Sequence, residues 1–137
     1  MTTEQTRETI LAYIDALGKG DAAQLYSFFT SESTWTLFGE LPTSRTWTGP
    51  EEIFEQFVAQ MIGRMDMTKP VEQDVRTVLA DGELALAEWT TRATAKSGEP
   101  YVNNVAIVFR LENGKIAEAR EYFDTAYAGR VLFGVNA

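Results

Sequence analysis

Between Val71 and Asp124 the chain reads as four consecutive strands, Val71 to Ala80, Glu83 to Ala95, Tyr101 to Leu111 and Lys115 to Asp124, separated by Asp81-Gly82, Ser97-Gly98 and Asn113-Gly114. Turns that short bring each run back beside the last, which predicts an antiparallel meander. Side chains alternate between the faces of a strand. In the last run Ala117, Ala119, Glu121 and Phe123 therefore share one face, and Glu118, Arg120, Tyr122 and Asp124 share the other. Glu121 is thereby a lone carboxylate among small and aromatic neighbours.

Helical periodicity precedes the strands. Ile10, Leu11, Tyr13, Ile14 and Leu17 recur at helical spacing, Thr2 and Gln5 can form a capping box, and the glycines at 18 and 20 supply a stop, so a first helix is expected from Thr3 to Gly18. Asp21 can cap a short second helix through Ala22, Leu25, Tyr26, Phe28 and Phe29, with the polar run Thr30-Ser31-Glu32-Ser33 ending it. Thr34 to Phe38 alternates as a short strand with Trp35 and Leu37 on one face. The segment from Gly39 to Thr48, containing Pro42, reads as a loop, and Pro50 opens a third helix with a broad stripe of Ile53, Phe54, Phe57, Val58, Met61, Ile62 and Met65. Thr125 to Ala137 reads as a short turn or helix and a loose end. Helices followed by a long sheet make an α+β pattern. We expect one domain spanning residues 1–137, with the N-terminal helices packed in a strongly curved antiparallel sheet, a cone-shaped α+β barrel enclosing a pocket.

Composition narrows the chemistry. Twenty acidic against twelve basic residues, a formal charge of −8, repel nucleic acid and anionic lipid and provide no basic patch. The absence of cysteine removes disulfides and thiolate nucleophiles and fits a reducing, cytoplasmic setting. The absence of histidine removes the commonest general base and metal ligand together with any Ser-His-Asp arrangement. Glu121 has no second acid two residues away on its face, so no catalytic metal is expected, and no phosphate-cradling glycine loop is present. The N-terminal stretch has acids among its apolar residues and does not read as a signal peptide, and no run reaches membrane-spanning length.

The order of elements resembles the nuclear transport factor 2-like superfamily, which includes ketosteroid isomerase, limonene epoxide hydrolase, scytalone dehydratase and the SnoaL-like polyketide cyclases. The resemblance spans nearly the whole chain. It rests on Gly20-Asp21 with Leu25 and Phe28-Phe29 after it, Thr34-Trp35-Thr36, Gly49 before the third helix, and Asn113-Gly114-Lys115-Ile116 leading into Arg120-Glu121-Tyr122-Phe123-Asp124. The two catalytic aspartates of ketosteroid isomerase fall on Leu37 and Ile107, whereas its oxyanion-hole tyrosine, seven residues before the Gly-Asp junction, has a counterpart in Tyr13. The Asp-Arg-Asp trio of limonene epoxide hydrolase aligns with Thr91, Trp89 and Glu121, and its water-holding Tyr and Asn with Trp35 and Leu37. Only Glu121 survives as an acid. The resemblance thus implies the pocket and no named reaction.

Alternation and helical stripe place Tyr13, Trp35, Leu37, Phe54, Phe57, Met61, Trp89, Thr91, Asn103, Val105, Ile107, Glu121 and Phe123 around that pocket. Such a lining suits a flat, apolar ligand oriented by a few polar groups. Dehydration raises the pKa of a carboxyl, fitting Glu121 for proton transfer near neutrality; the alternative is a structural Glu121 paired with a basic side chain such as Arg45. Tyr13 is either a hydrogen-bond donor to a ligand oxygen or a core tyrosine bonded to backbone. Asn103, inward in an apolar strand, needs a partner, with a ligand or Glu121 as candidates. The expectation is a cofactor-independent acid–base enzyme of isomerase, cyclase, dehydratase or lyase type, acting on a hydrophobic aromatic or polycyclic small molecule, with Glu121, Tyr13 and Asn103 catalytic. The alternative is a non-catalytic binding or dimerising domain. The outer sheet face, with Leu84, Leu86, Val102, Ala106, Val108 and Tyr122, suits a homodimer.

Overall fold

The structure is a computed structural model in which residues 1–134 are described. Helix α1 (Thr3–Lys19) begins with the expected capping box: the Thr2 side chain accepts from the Gln5 backbone, and the Gln5 side chain accepts from the Thr2 backbone. It ends at Gly20, whose φ of 66° is the left-handed conformation that glycine reaches without steric cost. Asp21 caps α2 (Ala22–Ser27) by accepting from Gln24 N–H. A helical segment of π type (Glu51–Val58) continues into α3 (Ala59–Ile62), and α4 (Thr125–Val131) closes the described chain with Asp124 as its cap.

The strands are β1 (Phe29–Leu37), β2 (Thr46–Thr48), β3 (Glu72–Asp81), β4 (Leu84–Thr94), β5 (Pro100–Glu112) and β6 (Lys115–Phe123), and they form one sheet in the order β2-β1-β6-β5-β4-β3. All pairings are antiparallel except β1 with β6, which is parallel. β1 is seated between its sequence neighbour β2 and the last strand of the meander, β6, so its parallel pairing joins strands far apart in the chain.

The short elements differ most from expectation. Phe29 and the polar run Thr30-Ser31-Glu32-Ser33 belong to β1 rather than to a helix and its end. Here local composition loses to the sheet: Phe29 pairs with Ile116 across a register irregularity, and the buried Ser33 hydroxyl donates to the Ile116 carbonyl at 2.6 Å. Part of the expected loop is β2, where Trp47 faces the core opposite Trp35.

A bulge in β6 shifts one face assignment. Leu111 pairs with Ile116, while Arg110 pairs with Glu118, so Ala117 is the extra residue. Ile116 therefore takes the buried position that simple alternation gives to Ala117, and the alternation from Ala119 through Glu121 to Phe123 holds.

Helix α1 lies in the concave face against β3 and β4. Its first turn is tied to the β3–β4 turn by Thr6 Oγ1 donating to Gly82 O at 2.6 Å and Gly82 N–H donating to Thr3 Oγ1 at 2.8 Å. This clasp points Ile10, Tyr13 and Ala16 inward, all three buried. On the convex face Arg76 donates to Thr90, and Thr90 donates to the outward-facing Asn104.

Candidate active site

The fold encloses a cavity of ≈630 Å³ between sheet and helices. Its walls come from the inner face of the sheet, the third helix and the end of α1. The exposed lining residues Lys19, Gly20, Met67 and Lys69 mark its mouth. The π-type turn is wider than an α turn, and Ile53, Phe54, Phe57 and Val58 of that segment all line the cavity. A depression of similar size, ≈600 Å³, lies beside Met1, Gln5 and Gly114, open to solvent and far from the acid.

Glu121 lines the cavity. In the sheet register it is flanked by Leu37 of β1 and Ile107 of β5, so hydrocarbon lies on both sides. The Trp35 indole N–H donates to Glu121 Oε1 at 2.9 Å, and no described protein group donates to Oε2. Burial pushes the carboxyl up from 4.5 to about 7, and the Trp35 hydrogen bond opposes part of that rise. The part of Glu121 that is not covered by protein faces the cavity. Arg45 is occupied elsewhere, 3.7 Å from Glu52 and stacked 3.9 Å over the Trp47 ring, so the alternative ion pair with Glu121 is not formed.

Tyr13 enters from α1 into a cage of Phe28, Phe29, Trp35 and Phe109, with ring centroids 5.6 to 6.2 Å away. Its residue surface is almost entirely covered, yet it lines the cavity, and its hydroxyl has no hydrogen-bond partner among the described residues. Burial, then the charge of Glu121, drives the phenol well above its ordinary pKa. Tyr13 therefore stays protonated and carries an unused donor at the cavity wall.

Asn103 and Leu37 are placed differently from expectation. Both are buried, and neither lines the cavity. The Asn103 amide is spent on its own strand and the start of α4: Nδ2 donates to the Tyr101 hydroxyl at 2.9 Å and to the Asp124 carbonyl at 3.0 Å, while Oδ1 accepts from Asp124 N–H at 3.3 Å. Both Nδ2 hydrogens and Oδ1 are thus engaged within the protein and away from the cavity lining, so the structure does not place Asn103 as the expected catalytic group. Leu37, beside Glu121 in the sheet, supplies packing instead of cavity surface.

The remaining expected positions, Trp35, Phe54, Phe57, Met61, Trp89, Thr91, Val105, Ile107 and Phe123, all line the cavity with Glu121 and Tyr13. The sequence reading missed Tyr101, Tyr26, Leu17, Met65 and Gln73 in the same lining. Parity on β5 was a usable signal for Tyr101, since it shares a face with Asn103, Val105 and Ile107. Gln73 shares the parity of Val75, which is opposite Trp89.

Among the described residues no three His, Cys, Asp or Glu side chains gather as a metal-holding group, and no helix is long and apolar enough to cross a membrane. A curved α+β sheet wrapped around a helix-covered apolar cavity, with one dehydrated acid in its wall, defines the class of cone-shaped pocket proteins. The chain belongs to the SnoaL-like domain family, whose profile matches residues 10–119. Among solved structures, the Bal32a protein from a soil-derived mobile gene cassette is 25% identical with a TM-score of 0.79, over 92% of this chain and 94% of that one. TerC co-crystallised with polyporic acid is 18% identical with a TM-score of 0.81, over 94% and 98%. A putative SnoaL-like polyketide cyclase from Jannaschia sp. CCS1 is 17% identical with a TM-score of 0.76, over 95% and 92%. No curated protein sequence matches the chain significantly.

Proposed function

We propose that this protein is a cofactor-independent acid–base enzyme acting on a hydrophobic aromatic or polycyclic small molecule, by proton transfer in isomerisation, cyclisation or elimination. The observation that carries this reading is Glu121: a carboxyl with one oxygen held by Trp35, the other unoccupied, in an apolar cavity that brings its pKa to about 7. A base poised near the working pH combines a useful ionised fraction with enough driving force to take a proton from carbon. Glu121 Oε2 removes a proton next to a substrate carbonyl. The Tyr13 O–H donates to the oxygen on which negative charge develops. The carboxylic acid so formed returns the proton to another carbon in an isomerisation, or to a departing oxygen in an elimination. The ligand-bound relative TerC, holding polyporic acid, and the putative cyclase of the same fold support a small-molecule role for the cavity.

The test uses a cyclic ketone with acidic C–H bonds, β-tetralone, in heavy water. Wild-type protein is expected to accelerate exchange of the ketone's α-protons. Glu121→Gln is expected to keep ketone affinity and lose about 100-fold or more of the acceleration. Equal exchange rates in the two proteins would refute the enzyme reading and favour a binding domain.

A homodimer through the convex sheet face is the second part of the proposal. Phe38 and Tyr122 stack there with centroids 5.0 Å apart while 44% and 46% exposed, and Leu79, Leu84 and Val102 are exposed as well. Apolar surface of this kind on one face suits association with a second copy. Tyr122→Glu is expected to shift the sedimentation coefficient from dimer to monomer; an unchanged monomer in both proteins would remove this part of the proposal.

A further inference from the structure

Tyr101 is a polar group of the cavity that the proposed chemistry does not use, and its hydrogen-bond arithmetic dictates what it can do. The orientation of the Asn103 amide is set by the Asp124 backbone, whose N–H needs Oδ1 and whose carbonyl needs Nδ2. The second Nδ2 hydrogen then points at the Tyr101 oxygen, 2.9 Å away, so Tyr101 is an acceptor in that bond. Its own O–H must find an acceptor elsewhere, and none exists among the described protein groups. Tyr101 lines the cavity, stacked on Tyr127 at 5.4 Å. Burial first, with the charge of Glu121 also contributing, pushes the phenol up to about 12, which keeps the donor proton in place.

The neighbouring Thr91 is built the same way. Its hydroxyl accepts from Trp89 Nε1 at 3.1 Å and keeps a hydrogen to donate, and it is directly opposite Asn103 in the sheet. The cavity therefore has a second polar pole, separate from Glu121. Glu121 is in register with Ile107, and the Tyr101 hydroxyl lies beside Asn103, four residues earlier on β5. At ~3.4 Å per residue the backbone positions of Ile107 and Asn103 are about 14 Å apart along β5, and the side chains close part of that span, since the Glu121 charge reaches the Tyr101 phenol. Between them the wall is hydrocarbon and aromatic: Trp89, Val105 and Phe123.

We propose that Tyr101, positioned by Asn103, is the distal anchor of an elongated ligand, donating to an acceptor oxygen at the end of the molecule opposite the part that meets Glu121. This deepens the small-molecule reading above and narrows its substrate class to multi-ring compounds with an oxygen at each end. A ligand with one oxygen leaves the Tyr101 O–H dehydrated and unpaired, and is discriminated against.

The experiment measures binding and not turnover, so it is independent of whether Glu121 is catalytic. The probes are a hydroxybiphenyl carrying an acetyl group at the opposite end and its ethyl analogue, which has nearly the same shape and no acceptor. Affinities are read from tryptophan fluorescence. Wild-type protein is expected to prefer the acetyl compound about fivefold to tenfold, the effect of one hydrogen bond. Tyr101→Phe is expected to abolish that preference by binding the ethyl compound more tightly than wild type does, since no O–H is then left unpaired. Glu121→Gln is expected to retain the preference even if it changes the affinity for both compounds. Asn103→Asp turns the Tyr101 proton toward the new carboxylate and strips the Asp124 carbonyl of its donor, so its readout is the ratio of the two affinities: the acetyl preference is expected to vanish, which general loosening of the fold would not produce. An acetyl preference that persists in Tyr101→Phe, its absence from wild type, or failure of wild type to bind either probe would each overturn the proposal.

Discussion

The Trp35 indole donates to one oxygen of the Glu121 carboxyl at 2.9 Å and leaves the other to the cavity. This contact joins β1 to β6, which pair in parallel with Trp35 opposite Ala119 and Leu37 opposite Glu121. One hydrogen bond thus aims the acid, while its hydrocarbon neighbours on either side strip its hydration.

Removing that donor has a definite sign. The Trp35 bond favours the ionised carboxylate, so Trp35→Phe should move the Glu121 titration above its value of about 7. The readout is the pH dependence of ketone exchange, whose ascending limb should shift to higher pH. Lost packing should also cost about 2 kcal/mol in denaturant unfolding.

Stability should vary with pH through the same group. Glu121 holds its proton more tightly folded than unfolded. Its contribution is therefore complete below about 4.5 and is lost as pH rises through about 7. At ~1.4 kcal/mol per pH unit that interval corresponds to about 3 kcal/mol. Glu121→Gln should unfold like wild type at pH 4 and be more stable by up to about 3 kcal/mol at pH 8, as thermal melts at both pH values would show.

The Tyr13 hydroxyl is an unused donor, so its removal should separate stability from activity. Tyr13→Phe keeps the aromatic cage of Phe28, Phe29, Trp35 and Phe109. Unfolding free energy should change by less than about 1 kcal/mol, while catalysed ketone exchange should fall about 100-fold. A Tyr13→Phe variant with unimpaired exchange would show that the tyrosine serves packing only.

Gly39 is a structural test away from the chemistry. Its φ is 105°, and a Cβ there would overlap the side chain of Thr125 at the start of α4. Gly39→Ala should cost more than about 2 kcal/mol in unfolding free energy, since both the backbone strain and the clash must be absorbed.

The long elements were legible because their signals are local. The Thr2–Gln5 capping box, Asp21 as a cap, and the glycine turns after Asp81 and Asn113 depend on residues within a few positions of one another. The inward placement of Glu121 was legible for the same reason, since alternation runs unbroken from Ala119 to Phe123. Features decided by distant partners were not. The polar start of β1 is recruited by Ile116, the bulge at Ala117 is visible only against β5, and Asn103 is claimed by the backbone of Asp124. Asn103 read as a candidate for chemistry because a buried amide needs partners; the partners turned out to be protein, and Tyr101 inherited the free proton.

The most direct test of the central claim is a carbon NMR titration of the Glu121 side-chain carboxyl, assigned by comparison with Glu121→Gln. A midpoint at about 7 is the result expected of an acid set in an apolar cavity; a midpoint near 4.5, the ordinary value, would contradict it.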